Sequence, residues 1–126
     1  MGGFKDMKFI ALNPEKGILS VPFSLNSLAQ KEGIEFTNVQ IKYNTEGLEI
    51  WRGTEHKDSD GKDIYENYIL RDKLGEFYAV VWFKDGIKLQ HGNIYEELEN
   101  HQWIDFIIAG NKISETELFK RITTWI

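Results

Sequence analysis

The chain has 126 residues, 41% apolar and 13% aromatic, enough to bury a core in one domain or in two small lobes. It has no cysteine, which excludes disulfides, thiol nucleophiles and thiolate metal sites. The net charge is −5 and is spread along the chain, so no basic block favours nucleic acid. A folded surface can still gather Lys57, Lys62, Arg71 and Lys73 on one side, so nucleic acid is disfavoured without being ruled out. The longest apolar stretch, Phe77–Phe83, is seven residues long, far below the roughly 20 that span a bilayer. The N-terminus lacks the basic-then-apolar layout of a leader, and the expectation is a soluble, cytoplasmic chain.

In chain order, MKFIAL (residues 7–12) reads as a strand ending at the turn dipeptide Asn13-Pro14. GILSVPF (17–23) reads as its hairpin partner, with Pro22 marking an edge because it has no N–H to donate. Residues 24–31 suggest a short helix stopping at Gly33. Phe36, Val39, Ile41 and Tyr43 alternate over 35–43 and predict one half-buried strand with a bulge after Phe36. A turn over 44–47 leads to a strand over 48–51, and 52–63 reads as a polar loop.

The second half is more strongly patterned. Tyr68–Arg71 and FYAVVWF (77–83) predict neighbouring strands, and Asp85-Gly86 predicts a tight turn into a strand over 87–90. Asn93 with Glu96 has capping-box spacing and predicts a helix to about His101. On that reading Glu96, Glu97 and Glu99 form a solvated helix face. Ile104–Ala109 predicts a buried strand. Ser114 with Glu117 predicts the cap of a last helix carrying Leu118, Phe119, Ile122 and Trp125 on one face. The expected fold is β-rich α+β. An N-terminal α+β portion (1–50) would pack on a small SH3-like β-barrel with short helices (51–126).

The stretch DSDGKDIYENYIL (58–70) carries one of three motifs whose order and spacing are more specific than any one of them. Asp60-Gly61-Lys62 followed by Ile64-Tyr65-Glu66 resembles the "N-G-K … IYEGD" hallmark of the YopX-like proteins of phages and prophages. Lys8-Phe9, with Ala11 and Glu15 after it, is similar to that family's opening strand. Gly110-Asn111 with Glu117-Leu118 is similar to its closing "GN…EL" element. Two positions depart from the family pattern: its Gly-Asp after the Glu is Asn67-Tyr68 here, and its Gly ahead of the loop is Glu55. The same closing letters also occur at Gly92-Asn93-Ile94-Tyr95-Glu96, but strand context and the nearby chain end favour Gly110-Asn111. The resemblance implies a phage or prophage origin and supplies no mechanism.

No pattern places catalytic chemistry. With Gly61 at position 6 of a calcium loop, His56 falls at position 1 and Asn67 at position 12. Asp58 at position 3 and Asp60 at position 5 fit. An imidazole, however, suits a hard cation poorly, position 12 lacks the bidentate carboxylate and no long amphipathic helices flank the loop, so the plain turn is the better reading. His56, His91 and His101 have no ligand spacing, and His101 with Asp105 lacks a nucleophile. We therefore expect no catalytic residue, metal or cofactor. Trp51, Trp82, Trp103 and Trp125, with Tyr43, Tyr65, Tyr68 and Tyr78, more often fill a core of this size than bind a partner; of these, Tyr78, Trp82, Trp103 and Trp125 are the candidate interaction aromatics. Strand 77–83 is apolar on both faces, so one face needs a cover, either the terminal helix or another subunit. The expected role is protein–protein or self-association. The alternatives are a single-stranded nucleic-acid-binding barrel and, least favoured, a small-molecule enzyme.

Overall fold

The computed structural model describes residues 7–37, 40–41 and 46–124, which fall into two compact units, Met1–Gly53 and Thr54–Ile126. Sequence alone placed the boundary at 50/51, three residues earlier. The chain is a strand-rich α+β protein, and no helix among the described residues is long and apolar enough to cross a membrane.

In the first unit, β1 (Lys8–Asn13) is the central strand because Phe9, Ile10, Ala11 and Leu12 are all buried. Its partners are β2 (Ile18–Leu19), β3 (Phe23–Ser24) and the start of β6 (Glu49–Lys57). The expected continuous strand over 17–23 is therefore two short pieces. Between them Ser20 turns inward, and its Oγ accepts the Ala11 N–H at 2.8 Å. Ser24 caps the short α1 (Leu25–Ala29) by accepting the Ser27 N–H at 3.1 Å, and that helix stops before residue 31.

The strand expected over 35–43 is a hairpin instead. β4 (Ile34–Glu35) pairs with β5 (Gln40–Ile41), so the chain reverses where a bulge was predicted. Val39 and Tyr43 lie outside the described residues. Phe9, Ala11, Phe23, Ile34 and Phe36 make the core of this unit.

β6 does not stop at Trp51. It runs on to Lys57 and joins β7 (Asp63–Tyr65), so only 58–62 is loop. Polarity misled the reading here. Thr54 is buried because its hydroxyl donates to the Ile64 carbonyl at 2.9 Å, which satisfies both groups.

The second unit is built on one antiparallel sheet in the order β11-β10-β9-β8-β12. Its strands are β8 (Tyr68–Arg71), β9 (Phe77–Phe83), β10 (Gly86–His91), β11 (Ile94–Glu96) and β12 (Ile107–Asn111). Tyr78 and Val80 face a core of Ile64, Leu70, Leu89, Trp103 and Phe106. Phe77, Ala79 and Val81 face α2 (Thr116–Thr123) through Leu118, Phe119 and Ile122. The terminal helix is thus the cover that the two-sided strand required.

Four local expectations change in this unit. Residues 93–101 are not a helix. His91 pairs with Ile94, so Gly92-Asn93 is a two-residue hairpin loop and β11 extends the sheet. Sheet pairing overrode the capping signal, and Glu96, Glu97 and Glu99 do not share a helix face. The helical turn begins later, as a 3-10 helix over Asn100–Asp105, where Gln102 Oε1 accepts the Glu99 N–H at 2.8 Å. That helix absorbs Ile104 and Asp105, so β12 starts at Ile107.

The β9–β10 turn is Lys84-Asp85, with φ +48° and +68°, and Gly86 is already in the strand. Finally, Ser114 does not cap α2. Its Oγ accepts the Asn111 N–H at 3.0 Å, and the helix begins after Glu115.

Candidate functional site

Two turns share one design. In Asp58-Ser59-Asp60-Gly61-Lys62, the Gly61 N–H donates to the Asp58 carbonyl at 3.0 Å and the Asp58 N–H to the Lys62 carbonyl at 2.9 Å. In Asp72-Lys73-Leu74-Gly75-Glu76, the equivalent bonds are 3.1 Å and 3.0 Å. Each leading aspartate accepts two more N–H groups on Oδ1, all at 2.9 Å, from Asp60 and Lys62 in one turn and from Leu74 and Glu76 in the other. Gly61 and Gly75 close the loops at φ +79° and +87°, where a side chain is strained.

The second oxygens differ. Asp58 Oδ2 accepts the Ile108 N–H at 3.0 Å, fifty residues away in sequence, and Asp58 is only 2% exposed. Burial disfavours the ionised form, but the N–H groups of Ile108, Lys62 and Asp60, with the Lys62 charge, outweigh it and hold the pKa below its ordinary value. This carboxylate ties its own turn to the start of β12. The same contact, with the Ser59 N–H donating to the Phe106 carbonyl at 2.8 Å, covers the start of the free edge of β12. Among the described residues, Asp72 Oδ2 accepts a hydrogen bond from the Tyr78 hydroxyl alone, at 3.3 Å.

The second turn presents a surface. Leu74 at its tip is 89% exposed, and Ile104 on the 3-10 helix is 60% exposed. A groove of about 470 Å³ runs between Leu74, Ile104, Ile107, Arg71 and Ser59. A second groove, about 360 Å³, lies between Leu74, Tyr78, Glu96, Leu98 and Phe106. Both are walled by Asp72, Lys73 and Asp105, and Lys73 Nζ lies 3.5 Å from Asp105 Oδ1. Tyr78, one of the candidate contact aromatics, lines the second groove. Its hydroxyl pKa is raised by burial first and then by Asp72, Glu96 and Glu76, so negative potential converges there.

The other candidates separate. Trp103 is buried in the core with its indole N–H unpartnered, and the His56 ring stacks on it at 4.7 Å. Burial lowers the His56 pKa, against the raising effect of Glu55. Trp82 is 42% exposed at the end of β9, and Trp125 lies outside the described residues. His91 Nδ1 lies 3.0 Å from the Phe77 carbonyl. Among the described residues, no three His, Cys, Asp or Glu side chains gather as a metal-holding group.

The motif residues play structural parts. Lys8 is exposed on β1 and Phe9 stacks on Phe23 at 6.0 Å. Ile64 enters the core, while Tyr65 is buried with an unpartnered hydroxyl whose pKa is pushed up to about 12 by burial, Asp63 and Tyr68. Glu66 leads into Asn67, whose carbonyl accepts the Lys112 N–H at 2.9 Å; beside it Asn111 pairs with Tyr68. The middle and closing motifs therefore meet in space. Gly110 sits at a bulge with φ +151°, and a Cβ there would come within 2.7 Å of Glu115 Cγ, so the position requires glycine.

Asp72, Leu74 and Ile104 escaped the sequence reading as functional candidates, and Asp58 entered it only as a calcium-loop position. The repeated Asp-x-x-Gly spacing was the available signal for the two aspartates.

No family model matches the chain, and no curated protein does. Among solved structures, the chain is similar to the crystal structure of protein EF1440 from Enterococcus faecalis. The TM-score is 0.59 at 16% identity, over 90% of this chain and 97% of that one. At that identity the likeness concerns the fold alone.

Proposed function

We propose that this protein is a non-enzymatic binding module of phage or prophage origin that acts through protein–protein contact at the face around Leu74. One observation carries the reading: among the described residues, the most exposed large apolar side chain sits at the tip of a hydrogen-bonded turn between two grooves. A leucine there adds nothing to the turn, whose bonds are made by backbone and Asp72. Self-association is the less favoured form. Residues 54–126 hold nine Lys and Arg against fourteen Asp and Glu, so two copies repel. The same charge disfavours nucleic acid.

The YopX-like reading is supported by the two positions where the family pattern carries glycine and this chain does not. Glu55 has φ +65° and Asn67 φ +70°, so both adopt the backbone that glycine favours. We read the second unit's sheet as an open member of the SH3-like small barrels. The support is its five antiparallel strands, with β12 returning to pair β8. A prophage-derived module of this kind would work in the cytoplasm of its bacterial host.

The test compares pull-downs from lysogenic host lysate using the wild-type chain and a Leu74→Asp/Ile104→Asp variant. Proteins retained by the wild type and lost by the variant are expected. Identical retention by both overturns the reading. Both substitutions are at exposed positions, so the variant is expected to fold.

A further inference from the structure

We infer that the face around Leu74 receives a basic, apolar-anchored segment of a partner protein, an inference that rests on reading this face as a binding surface. The two Asp-x-x-Gly turns supply an internal control. They share a backbone, yet the third position is Asp60 in one and Leu74 in the other. The backbone therefore makes no demand for an apolar residue at Leu74. With 89% of its surface in water, Leu74 contributes almost nothing to the core.

The grooves on either side give the aliphatic tip somewhere to act. A partner's apolar side chain entering between Leu74 and Leu98 would meet Phe106 and the Tyr78 ring, which contact each other edge-on at 5.7 Å. These rings and the two leucines are the apolar part of a groove that Asp72, Lys73, Glu96, Gln102 and Asp105 otherwise line.

The rim sets the chemistry of the occupant. Asp72, Glu96 and Asp105 stand around the second groove, with Lys73 as the cation and Asp105 already beside it. In the first groove Arg71 and Lys73 balance Asp72 and Asp105, so the second groove sets the preference. With the net acidity of the unit around it, that groove favours Lys or Arg on the partner and disfavours Asp, Glu or phosphate.

The experiment titrates the 15N-labelled full chain with two acetylated octapeptides of one apolar pattern, lysine–leucine and glutamate–leucine. The lysine–leucine peptide is expected to shift the Leu74, Tyr78, Glu96 and Leu98 amides saturably, and less so as salt rises. Leu74→Ser should weaken it by roughly tenfold, the usual cost of losing one anchoring side chain. Glu96→Lys should weaken it by roughly threefold, as for one rim charge. Equal shifts with both peptides overturn the charge assignment and leave the binding surface standing. No shifts at these residues, or binding that Leu74→Ser leaves unchanged, overturn the inference outright. The pull-down comparison reads the broader proposal separately, because it depends on neither peptide.

Discussion

The turns at Asp58 and Asp72 have the same five-residue hydrogen-bond pattern and opposite fates. Both leading aspartates accept the N–H groups two and four residues on, with indistinguishable lengths. Only Asp58 is then buried against a distant strand through the Ile108 N–H, and only the Asp72 turn carries an exposed leucine. Local sequence therefore decides the turn, and the second carboxylate oxygen decides whether the turn becomes scaffold or surface.

The widest separation should appear on removing the carboxylates. Asp58→Ala strands three backbone donors, one of them in the partly buried β12, and should cost about 3 kcal/mol of unfolding free energy. Asp72→Ala leaves groups that water reaches and should cost about 1 kcal/mol. Urea denaturation of the two variants measures the difference. Equal losses would mean that the Ile108 contact contributes nothing.

The glycines should erase the difference between the turns. Gly61→Ala and Gly75→Ala both force a side chain into left-handed backbone with open space around the new methyl. Each should cost about 1 kcal/mol, and the two losses should agree. If Gly61→Ala proves much costlier, burial of Asp58 has stiffened the backbone, and the turns are less alike than their bonds suggest.

Acid sharpens the contrast further. The folded pKa of Asp58 lies below its unfolded value, so its stabilisation is present at neutral pH and is lost as pH falls through the folded pKa. Asp58→Asn keeps one oxygen for the turn and has no such proton to gain. The stability gap between wild type and Asp58→Asn should be widest near pH 7 and narrow below about pH 4. Chemical denaturation across pH reads it, and a constant gap would show that the ionised form has no special role.

Much of this architecture was legible in the residues. The strands 7–12, 68–71, 77–83 and 87–90 follow from apolar and β-branched runs, and the second apolar face of β9 correctly demanded a cover. The failures have physical causes. Residues 52–57 read as loop because their polar side chains, Thr54 above all, find partners only in the folded sheet. Asn93 with Glu96 matched a helix cap, but the same Gly92-Asn93 pair also makes a hairpin loop, and cross-strand bonds to β10 settled the competition. The role of Asp58 was illegible because its deciding partner is fifty residues away.

The smallest expected effect probes the exposed turn's own second oxygen. Tyr78→Phe removes a hydroxyl 3.3 Å from Asp72 Oδ2, a long contact at a partly exposed site, and should change stability by no more than about 0.5 kcal/mol. The ring itself must stay, because it packs edge-on against Phe106. If the loss instead approaches that of the Ile108 contact, the Asp72 turn is anchored as firmly as its twin. Leu74 would then be presented by a rigid arm and not by a turn held only through its own backbone and the Asp72 side chain. A small loss fixes the asymmetry: one aspartate ties its turn to the sheet, and the other leaves its turn free to meet a partner.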